Sequence, residues 1–471
     1  MSGSQQRRLV TRRGFQQASV AATAGLCTSG QVSRALGFTS PNQRPRIAVV
    51  GCGSRWGWLL ANGGVHGIGG HFAKFGDYIM VCDVDQERRE AAAGLVEKWS
   101  GVKPEITGDY RQVIENPEVD AVLVFTPDHW HAKVAVEAML AGKDVYCEKP
   151  MTLTIPEGQQ ICQVCRDTQR VFQVGTQQRS TLGFRTAVAL VQAGRLGTLQ
   201  RVECGIGGAP TSPQIPVAMV PANMDWNQWL GPAPNVDFRL LAGANNETKS
   251  WSRYHYEFRW WYEYSGGKLT DWGAHHVDIA TWAMGKTETG PVRIEPVEIE
   301  HPVPFEDGYP TVVDHYNTAT KFRFKVDYAE GPELWISSDT RNGVLIEGSD
   351  GKIFVNRGGV SGKAVDELKD NPLPAELQEM VEDGRPEDPA LASDDSAVHV
   401  YNFFEAMEQR KLPHSDVFSH HRALSTCHLA AISGRLGRVL NWDPQAEKVV
   451  DDPQAEKLID RPKREGFEIK S

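Results

Sequence analysis

The feature that most constrains this fold is a series of short apolar runs in the first third of the chain. The runs are rich in β-branched and other apolar side chains, and they occupy residues 46–50, 78–82, 120–125 and 144–147. Runs of this length and composition are typical of parallel strands that are buried on both faces. Helical patterns separate them, at residues 86–99, 110–115 and 132–141. Strands that alternate with helices predict an α/β fold with a doubly wound parallel sheet.

A glycine or a polar residue stands at or just beyond the end of each run. These residues are Gly51, Asp83, Thr126 and Lys149. Ligands of such sheets bind at the carboxyl ends of the strands. The four positions together therefore predict a binding site along one edge of the sheet.

The turn after the first run carries glycines at 51, 53 and 57, a G-x-G-x-x-x-G spacing. Glycines at a strand-to-helix turn let the backbone approach a pyrophosphate, whose charge meets helix N–H groups. Asp83 can accept hydrogen bonds from the adenosine ribose and would repel a 2′-phosphate, which favours NAD over NADP. The interval from Gly51 to Asp83 exceeds the usual ~20 residues, and we attribute the excess to an inserted loop over 62–76.

Composition excludes several classes of protein. The chain has 471 residues, of which 40% are hydrophobic, and this is enough for two domains with sizeable cores. No apolar run approaches the ~20 residues that span a bilayer. The net charge of −10, without a long basic block, argues against nucleic acid as a partner. Eight irregularly spaced cysteines do not form a disulfide framework, and Cys162 and Cys165 are interpreted as core residues of a helix.

The start of the chain resembles an export signal. Thr11-Arg12-Arg13-Gly14-Phe15 precedes a short apolar run over 18–27 and then small and polar residues. Adjacent arginines in this setting are typical of a twin-arginine (Tat) signal, which exports folded proteins. We therefore predict a signal peptide and linker at 1–40 and a periplasmic or otherwise exported protein. A disordered basic tail is the alternative.

Two groups of motifs resemble those of the Gfo/Idh/MocA (glucose–fructose oxidoreductase / inositol dehydrogenase) family. The first is the glycine turn with Thr126-Pro127-Asp128-His129-Trp130-His131 and Glu148-Lys149-Pro150. The second is the run from Gly266 through Asp271 to His275, which is similar to the family's glycine run and D-x-x-x-H, with Lys268 in place of the third glycine. The resemblance spans residues 46–443.

The resemblance implies a Rossmann dinucleotide-binding domain followed by an α/β domain with a large open, mainly antiparallel sheet. Such sheets often form oligomer contacts, so a homodimer or homotetramer is expected. We place the NAD(P)-binding domain at 44–168, the substrate-binding and oligomerisation domain at 169–440, and a C-terminal extension at 441–471.

Lys149, Asp271 and His275 occupy the positions that the resemblance implies are catalytic. Lys149, at a strand tip, is suited to polarise a substrate oxygen. Asp271, His275 and Asp278 are spaced i, i+4, i+7, which predicts one shared helical face. His275 can exchange the substrate proton while Asp271 orients it. A capped helix with a structural histidine is the alternative.

The predicted cofactor contacts are residues of the strand tips and the motifs that follow them: Gly51, Gly53, Ser54, Arg55, Trp56, Asp83, Thr126, Pro127, His129, His131, Glu148 and Lys149. The predicted substrate contacts are Lys149, Arg179, Asp271 and His275. No metal site is predicted, because His129 and His131 have no third ligand at a suitable spacing. Trp251, Trp260, Trp261 and Tyr262 are either core residues or a platform for a sugar ring.

The sequence therefore predicts an NAD(P)-dependent oxidoreductase that acts on a CH–OH group of a sugar, sugar derivative or cyclic polyol. Export implies a tightly bound cofactor, since free NAD is scarce outside the cytoplasm. That favours an alternative, redox-neutral chemistry such as glycoside hydrolysis, epimerisation or elimination. A non-catalytic sugar-binding protein is the third possibility.

Overall fold

A six-stranded parallel sheet is the centre of the first half of the chain. The structure is a computed structural model, and it describes residues 44–59, 65–243 and 250–470. The predicted export signal lies outside these residues. The strands, in chain order, are β1 (Arg46–Val50), β2 (Asp77–Cys82), β3 (Glu105–Thr107), β4 (Ala121–Val124), β5 (Asp144–Cys147) and β6 (Phe172–Val174). Their order across the sheet is β3-β2-β1-β4-β5-β6, and every pair is parallel.

This order is that of a dinucleotide-binding fold, in which the chain reverses direction across the sheet beside β1. The prediction of an α/β Rossmann fold is confirmed. The sheet includes β6, which begins after the predicted boundary at residue 168. The apolar runs became strands because helices cover both faces of the sheet, as the buried residues of β1, β4 and β5 show.

Six helices accompany the first sheet and continue beyond its last strand: Gly69–Phe75, Gln86–Ser100, Tyr110–Glu115, Asp128–Leu140, Ile155–Thr168 and Leu182–Gln192. The helix Ile155–Thr168 begins with a capping box between Thr154 and Glu157. Cys162 and Cys165 lie in this helix, and both are buried free thiols.

The segment after the glycine turn differs from the prediction in two ways. No helix begins at residues 51–57, which form turns, and among the described residues the first helix starts at Gly69. Residues 55–56 and 68–69 lie next to each other, because Ile68 N donates to Arg55 O (3.2 Å) and Gly69 N donates to Trp56 O (2.7 Å). The excess length therefore falls between residues 56 and 68. The predicted loop over 62–76 was wrong for residues 69–75, which form a helix.

A nine-stranded sheet dominates the second half. Its strands, in chain order, are β7 (Leu199–Gly205), β8 (Arg293–Glu300), β9 (Lys321–Asp327), β10 (Glu333–Ser337), β11 (Gly343–Gly348), β12 (Gly351–Asn356), β13 (Gly359–Ser361), β14 (Leu440–Asp443) and β15 (Lys448–Val450). The order is β13-β12-β11-β7-β10-β9-β8-β14-β15, and only β7 and β10 pair in parallel. The predicted mainly antiparallel sheet is confirmed.

The helices of the second half are mostly short: Trp226–Leu230, Lys268–Asp271, Gly273–Ala283, Lys363–Asp366, Ala375–Glu382, Pro389–Ala392, Asp395–Gln409, Val417–Leu436 and Pro453–Leu458. Single 3₁₀ turns occupy Gln177–Ser180, His255–Trp260 and Glu367–Lys369. Three two-stranded hairpins pair Trp58–Leu59 with Val65–His66, Leu240–Ala242 with Ser250–Ser252, and Phe305–Glu306 with Tyr309–Pro310.

Late helices return to the first sheet and connect the two halves. Phe403 and Phe404 of the helix Asp395–Gln409 pack against Phe72, and Gln173 of β6 donates to His399 O (2.8 Å). Among all the residues that the structure describes, no helix is both long and apolar enough to cross a membrane.

Candidate active site

A cleft of about 350 Å³ runs along the carboxyl edge of the first sheet and is closed on its other side by residues of the second half. Twelve of the predicted site residues line it: Gly51, Gly53, Ser54, Arg55, Asp83, Thr126, Pro127, His131, Glu148, Lys149, Asp271 and His275. The strand tips and the motif around Asp271 therefore share one cavity, although more than 120 residues separate Lys149 from Asp271.

One end of the cleft is held mainly by backbone. Gly51 has a φ of +91°, and a Cβ there would lie 2.5 Å from the carbonyl carbon of Phe125. Gly51 N donates to Cys82 O (2.8 Å), which fixes the turn at the tip of β2. A side chain is excluded at this position by both the backbone conformation and the neighbouring strand.

Asp83 stands at the tip of β2 and is anchored through both carboxylate oxygens. Oδ2 accepts from Cys52 N (2.7 Å) and Oδ1 accepts from Asp85 N (2.9 Å). Burial raises the pKa of Asp83 above its usual value, although Arg88 and these two N–H groups oppose the shift. Each oxygen retains a lone pair for a ribose hydroxyl.

Lys149 and Asp271 form an ion pair across the two halves. Lys149 Nζ contacts Asp271 Oδ1 and also donates to Asp271 O (3.2 Å). Burial opposes ionisation of Asp271, but the charges of Lys149 and Arg259 outweigh it and hold the pKa of Asp271 well below its usual value. The Asp271 carboxylate therefore stays ionised at neutral pH. Beside it, Arg55 donates to the buried Glu148 (2.8 Å).

The predicted single helical face is broken at Trp272. Asp271 ends a short helix, Lys268–Asp271, which begins at Gly267 with a φ of +64°, and His275 belongs to the next helix, Gly273–Ala283. Asp271 and His275 still reach the same cleft, but Asp278 does not line it. Instead, Asp278 accepts from Arg179, because its side chain points into the protein core.

His275 is neutral in this environment. Burial, and then the charges of Lys149 and Arg357, hold its pKa well below the usual value. Nε2 lies 3.2 Å from a terminal nitrogen of Arg357. A guanidinium only donates, so Nε2 is the acceptor and the ring proton is on Nδ1.

Three predicted site residues lie outside the cleft. Trp56 is fully buried and donates to the Tyr78 hydroxyl (2.9 Å), which makes it a core residue. His129 is buried against Trp229 O, 2.9 Å from Nε2. Arg179 forms a buried bidentate ion pair with Asp278 at 2.6 and 2.9 Å, so its guanidinium is not free to contact a substrate.

Five other charged residues line the cleft, and sequence reasoning did not select them. They are Asp85, Arg88, Asp128, Arg259 and Arg357. Asp128 lies within the T-P-D-H-W-H motif, and burial raises its pKa to about 7 while Ser265 donates to it at 2.5 Å. Arg357 occupies the turn between β12 and β13 and gave no sequence signal beyond the Asn-Arg-Gly-Gly turn composition.

Of the two interpretations given for Trp251, Trp260, Trp261 and Tyr262, the structure does not support a sugar platform. Trp260, Trp261 and Tyr262 are buried in the core, and neither they nor Trp251 line the cleft. Tyr256, Phe258 and Trp272 do line it. The Trp272 ring lies 6.1 Å from the His275 ring, measured between centroids, and 4.7 Å from the Arg357 guanidinium.

The residues present fit a dinucleotide. The tips of β1, β2 and β4 supply a glycine turn, an anchored carboxylate and Thr126, whose hydroxyl is buried with no hydrogen-bond partner among the described residues. A ribose or an amide group would satisfy that hydroxyl. Among the described residues, no group of three His, Cys, Asp or Glu is placed to hold a metal ion.

Family models match most of the chain. Residues 45–176 match the Gfo/Idh/MocA model described as "oxidoreductase family, NAD-binding Rossmann fold". Residues 210–384 and 387–469 match the model described as "oxidoreductase family, C-terminal alpha/beta domain".

Curated relatives match over a shorter segment. A glycosyl hydrolase family 109 protein of Shewanella baltica (strain OS185) is 30% identical over 175 residues, which cover 34% of this chain and 38% of that protein. A scyllo-inositol 2-dehydrogenase (NAD(+)) of Bacillus subtilis (strain 168) is 32% identical over 154 residues, which cover 32% of this chain and 41% of that protein. The matched segments thus span less than half of these relatives.

Among solved structures, a levoglucosan dehydrogenase in complex with NADH and levoglucosan has a TM-score of 0.56. The match covers 85% of this chain and 99% of that one at 15% sequence identity. At this identity, the likeness establishes the fold.

Proposed function

Because this chain belongs to the Gfo/Idh/MocA oxidoreductase family, we propose that it is an NAD-dependent oxidoreductase that oxidises a CH–OH group of a sugar, sugar derivative or cyclic polyol. One observation carries the proposal. The Lys149–Asp271 ion pair and the neutral His275 line the same cleft as the strand tips that fit a dinucleotide.

Each of these side chains has a role in removing the hydroxyl proton. Lys149, held beside Asp271, donates a hydrogen bond to the substrate oxygen, which favours the developing alkoxide. The neutral imidazole of His275 takes up the hydroxyl proton at Nε2. The nicotinamide of a bound NAD supplies the acceptor for the hydride that leaves the same carbon.

NAD is proposed over NADP because the carboxylate of Asp83, at the tip of β2, would repel a 2′-phosphate. Segments of the second half also cover this end of the cleft. Asn223 donates from its side chain to Asp85 (2.8 Å) and accepts from Gln86 N (2.8 Å), and His255 lies 3.7 Å from Asp85. These contacts support slow release of a bound dinucleotide.

A redox-neutral reaction is the second candidate. It is favoured by the family 109 glycosyl hydrolase among the relatives and by the covered cofactor end. Export through a twin-arginine signal, which stays a prediction, would also require a cofactor that is retained and regenerated within each turnover. Self-association through the second sheet remains a prediction as well.

Two measurements on the purified chain test the proposal. In the first, the bound cofactor is released from one sample by denaturation and identified. In the second, neutral sugars and polyols are added with NAD to the folded protein, and the absorbance at 340 nm and the products are followed. A dehydrogenase accumulates NADH in step with a carbonyl product. Product without NADH supports the redox-neutral reaction, and a chain that neither holds NAD nor turns over any compound contradicts both.

A further inference from the structure

The Lys149 end of the cleft contains more cations than paired carboxylates. Arg55 is paired with Glu148 at 2.8 Å, and Lys149 is paired with Asp271. Arg259 and Arg357 line the same cavity, and neither forms an ion pair with a carboxylate in the part of the chain that the structure describes. Asp128 does not balance them, because burial raises its pKa to about 7 and leaves it partly protonated at neutral pH.

Arg357 is held in a fixed position at the rim. It occupies a tight turn in which Asn356 Oδ1 accepts from Gly358 N (2.9 Å). Its guanidinium lies 4.7 Å from the centre of the Trp272 ring and 3.2 Å from His275 Nε2. A guanidinium that is fixed against an aromatic face is suited to bind a planar carboxylate.

Arg259 adds a second unpaired cation. Its guanidinium lies 3.9 Å from the centre of the Tyr256 ring, and its Nε is buried with no hydrogen-bond partner among the described residues. A buried donor without a partner is energetically unfavourable, and a bound acceptor would remove that cost.

We propose that the substrate is a sugar or polyol that carries a carboxylate, and that Arg357 binds this group, while Arg259 adds positive charge to the same cleft. This inference rests on the proposed function, since it names the substrate class of the same site. It is narrower than that function, which names sugars, sugar derivatives and cyclic polyols without specifying their charge.

The contact between Arg357 and His275 links recognition to proton transfer. Arg357 donates to Nε2, the nitrogen that would take up the hydroxyl proton. A carboxylate is a charged acceptor and competes for the guanidinium better than a neutral imidazole does. A carboxylated substrate would therefore draw Arg357 from Nε2 and free the base, whereas a neutral sugar would not.

The test compares acidic and neutral compounds of matched shape. Binding of D-glucuronate, D-gluconate, D-glucose and D-glucitol to the full chain with NADH is measured by calorimetry, and their oxidation with NAD is followed at 340 nm. We expect the acids to bind more tightly, and Arg357→Gln to reduce the acid-to-neutral ratio of affinities about 10- to 100-fold. Arg357→Lys should retain part of the preference for acids, because lysine keeps the positive charge but lacks the paired N–H donors of the guanidinium.

Arg341→Gln is the matched control. Arg341 also stacks on an aromatic ring, with its guanidinium 4.0 Å from the Phe354 ring centre, and it does not line the cleft. Its substitution should leave the ratio unchanged. Thermal melts of all variants check that they fold.

The outcomes separate the inference from the proposed function. Oxidation of neutral compounds without any preference for acids overturns the inference and leaves the function intact. Binding of acids that depends on Arg357, without hydride transfer, supports the inference and contradicts the function. Arg357 belongs to the cofactor site if Arg357→Gln weakens the affinity for NAD and leaves the acid-to-neutral ratio unchanged, and this result overturns the inference. The inference is also overturned if none of the four compounds binds.

Discussion

The two ends of the cleft are built in different ways. At the end near Asp83, backbone groups at consecutive strand tips hold the site, as in the contacts of Gly51 N with Cys82 O and of Cys52 N with Asp83. At the other end, side chains from distant segments meet: Lys149 contacts Asp271, and His275 contacts Arg357. The first end is a property of the sheet, whereas the second depends on how the two halves pack.

This difference predicts different responses to substitution. A change at the backbone-held end should affect folding and cofactor affinity together. A change at the side-chain end should affect the chemical step with little effect on NAD binding. Four substitutions test this separation.

The largest effect is expected from Lys149→Ala. Removing the cation that polarises the substrate oxygen should lower kcat on the order of 10³-fold, with a small change in the Kd for NAD. Steady-state kinetics and cofactor titration measure the two quantities.

Lys133→Ala is the matched control, since Lys133 forms a buried ion pair with Glu137 (2.7 Å) but does not line the cleft. It should lower the melting temperature and retain most of the activity. An equal loss of activity in both variants would show that Lys149 acts only through stability.

Gly51→Ala should damage the backbone-held end most. The new Cβ would overlap the Phe125 backbone at 2.5 Å in a conformation with a φ of +91°. The conformational strain alone costs roughly 1–3 kcal/mol of folding stability, and NAD affinity should fall with it. Melting temperature and NAD titration are the measurements.

Gly101→Ala isolates the conformational part of this effect. Gly101 also has a positive φ, +74°, at a helix C-terminus, but nothing lies within 4 Å of a Cβ there. Gly101→Ala should lower the folding stability by about 1 kcal/mol and leave the Kd for NAD unchanged. A Gly51 variant no worse than this one would contradict the close approach to Phe125.

Asp83→Asn should weaken NAD binding about 10-fold, because a charged acceptor for the ribose is lost. Discrimination against NADP should narrow at the same time. Asp109→Asn, an N-cap carboxylate that does not line the cleft, should alter neither affinity. Unchanged discrimination in the Asp83 variant would contradict the assignment of NAD.

A change in the pH dependence of stability is also expected. Because burial raises the pKa of Asp128 to about 7, the folded state binds a proton that the unfolded state has released between about pH 4 and pH 7. This group therefore lowers the folding stability as pH rises through that window, by at most ~1.4 kcal/mol per pH unit. Asp128→Asn removes the effect, so the melting temperature of the variant, relative to that of the wild type, should rise from pH 5 to pH 8. A difference in melting temperature that stays constant over this range would contradict the raised pKa of Asp128.

Local sequence patterns were sufficient for most of the fold. The runs at 46–50 and 144–147 match β1 and β5, and the helix predicted over 110–115 has the observed bounds. Burial on both faces of a parallel sheet leaves an uninterrupted apolar run in the sequence, which is why these elements were recognisable. The insertion after Trp56 was predicted, but its bounds were not, because the contacts of residues 68 and 69 with residues 55 and 56 define them. The glycine-rich composition of residues 62–76 did not reveal the helix Gly69–Phe75.

The candidate site divides in the same way. By itself, the sequence determined which residues follow the strand tips, since a strand and its tip are neighbours in the chain. Only the tertiary structure decided that Arg179 pairs with Asp278, and that Arg357 reaches His275 from a turn 82 residues away. Such contacts depend on the packing of the second sheet against the first, and hydrophobic periodicity records which face of an element is buried but not which side chain lies opposite it.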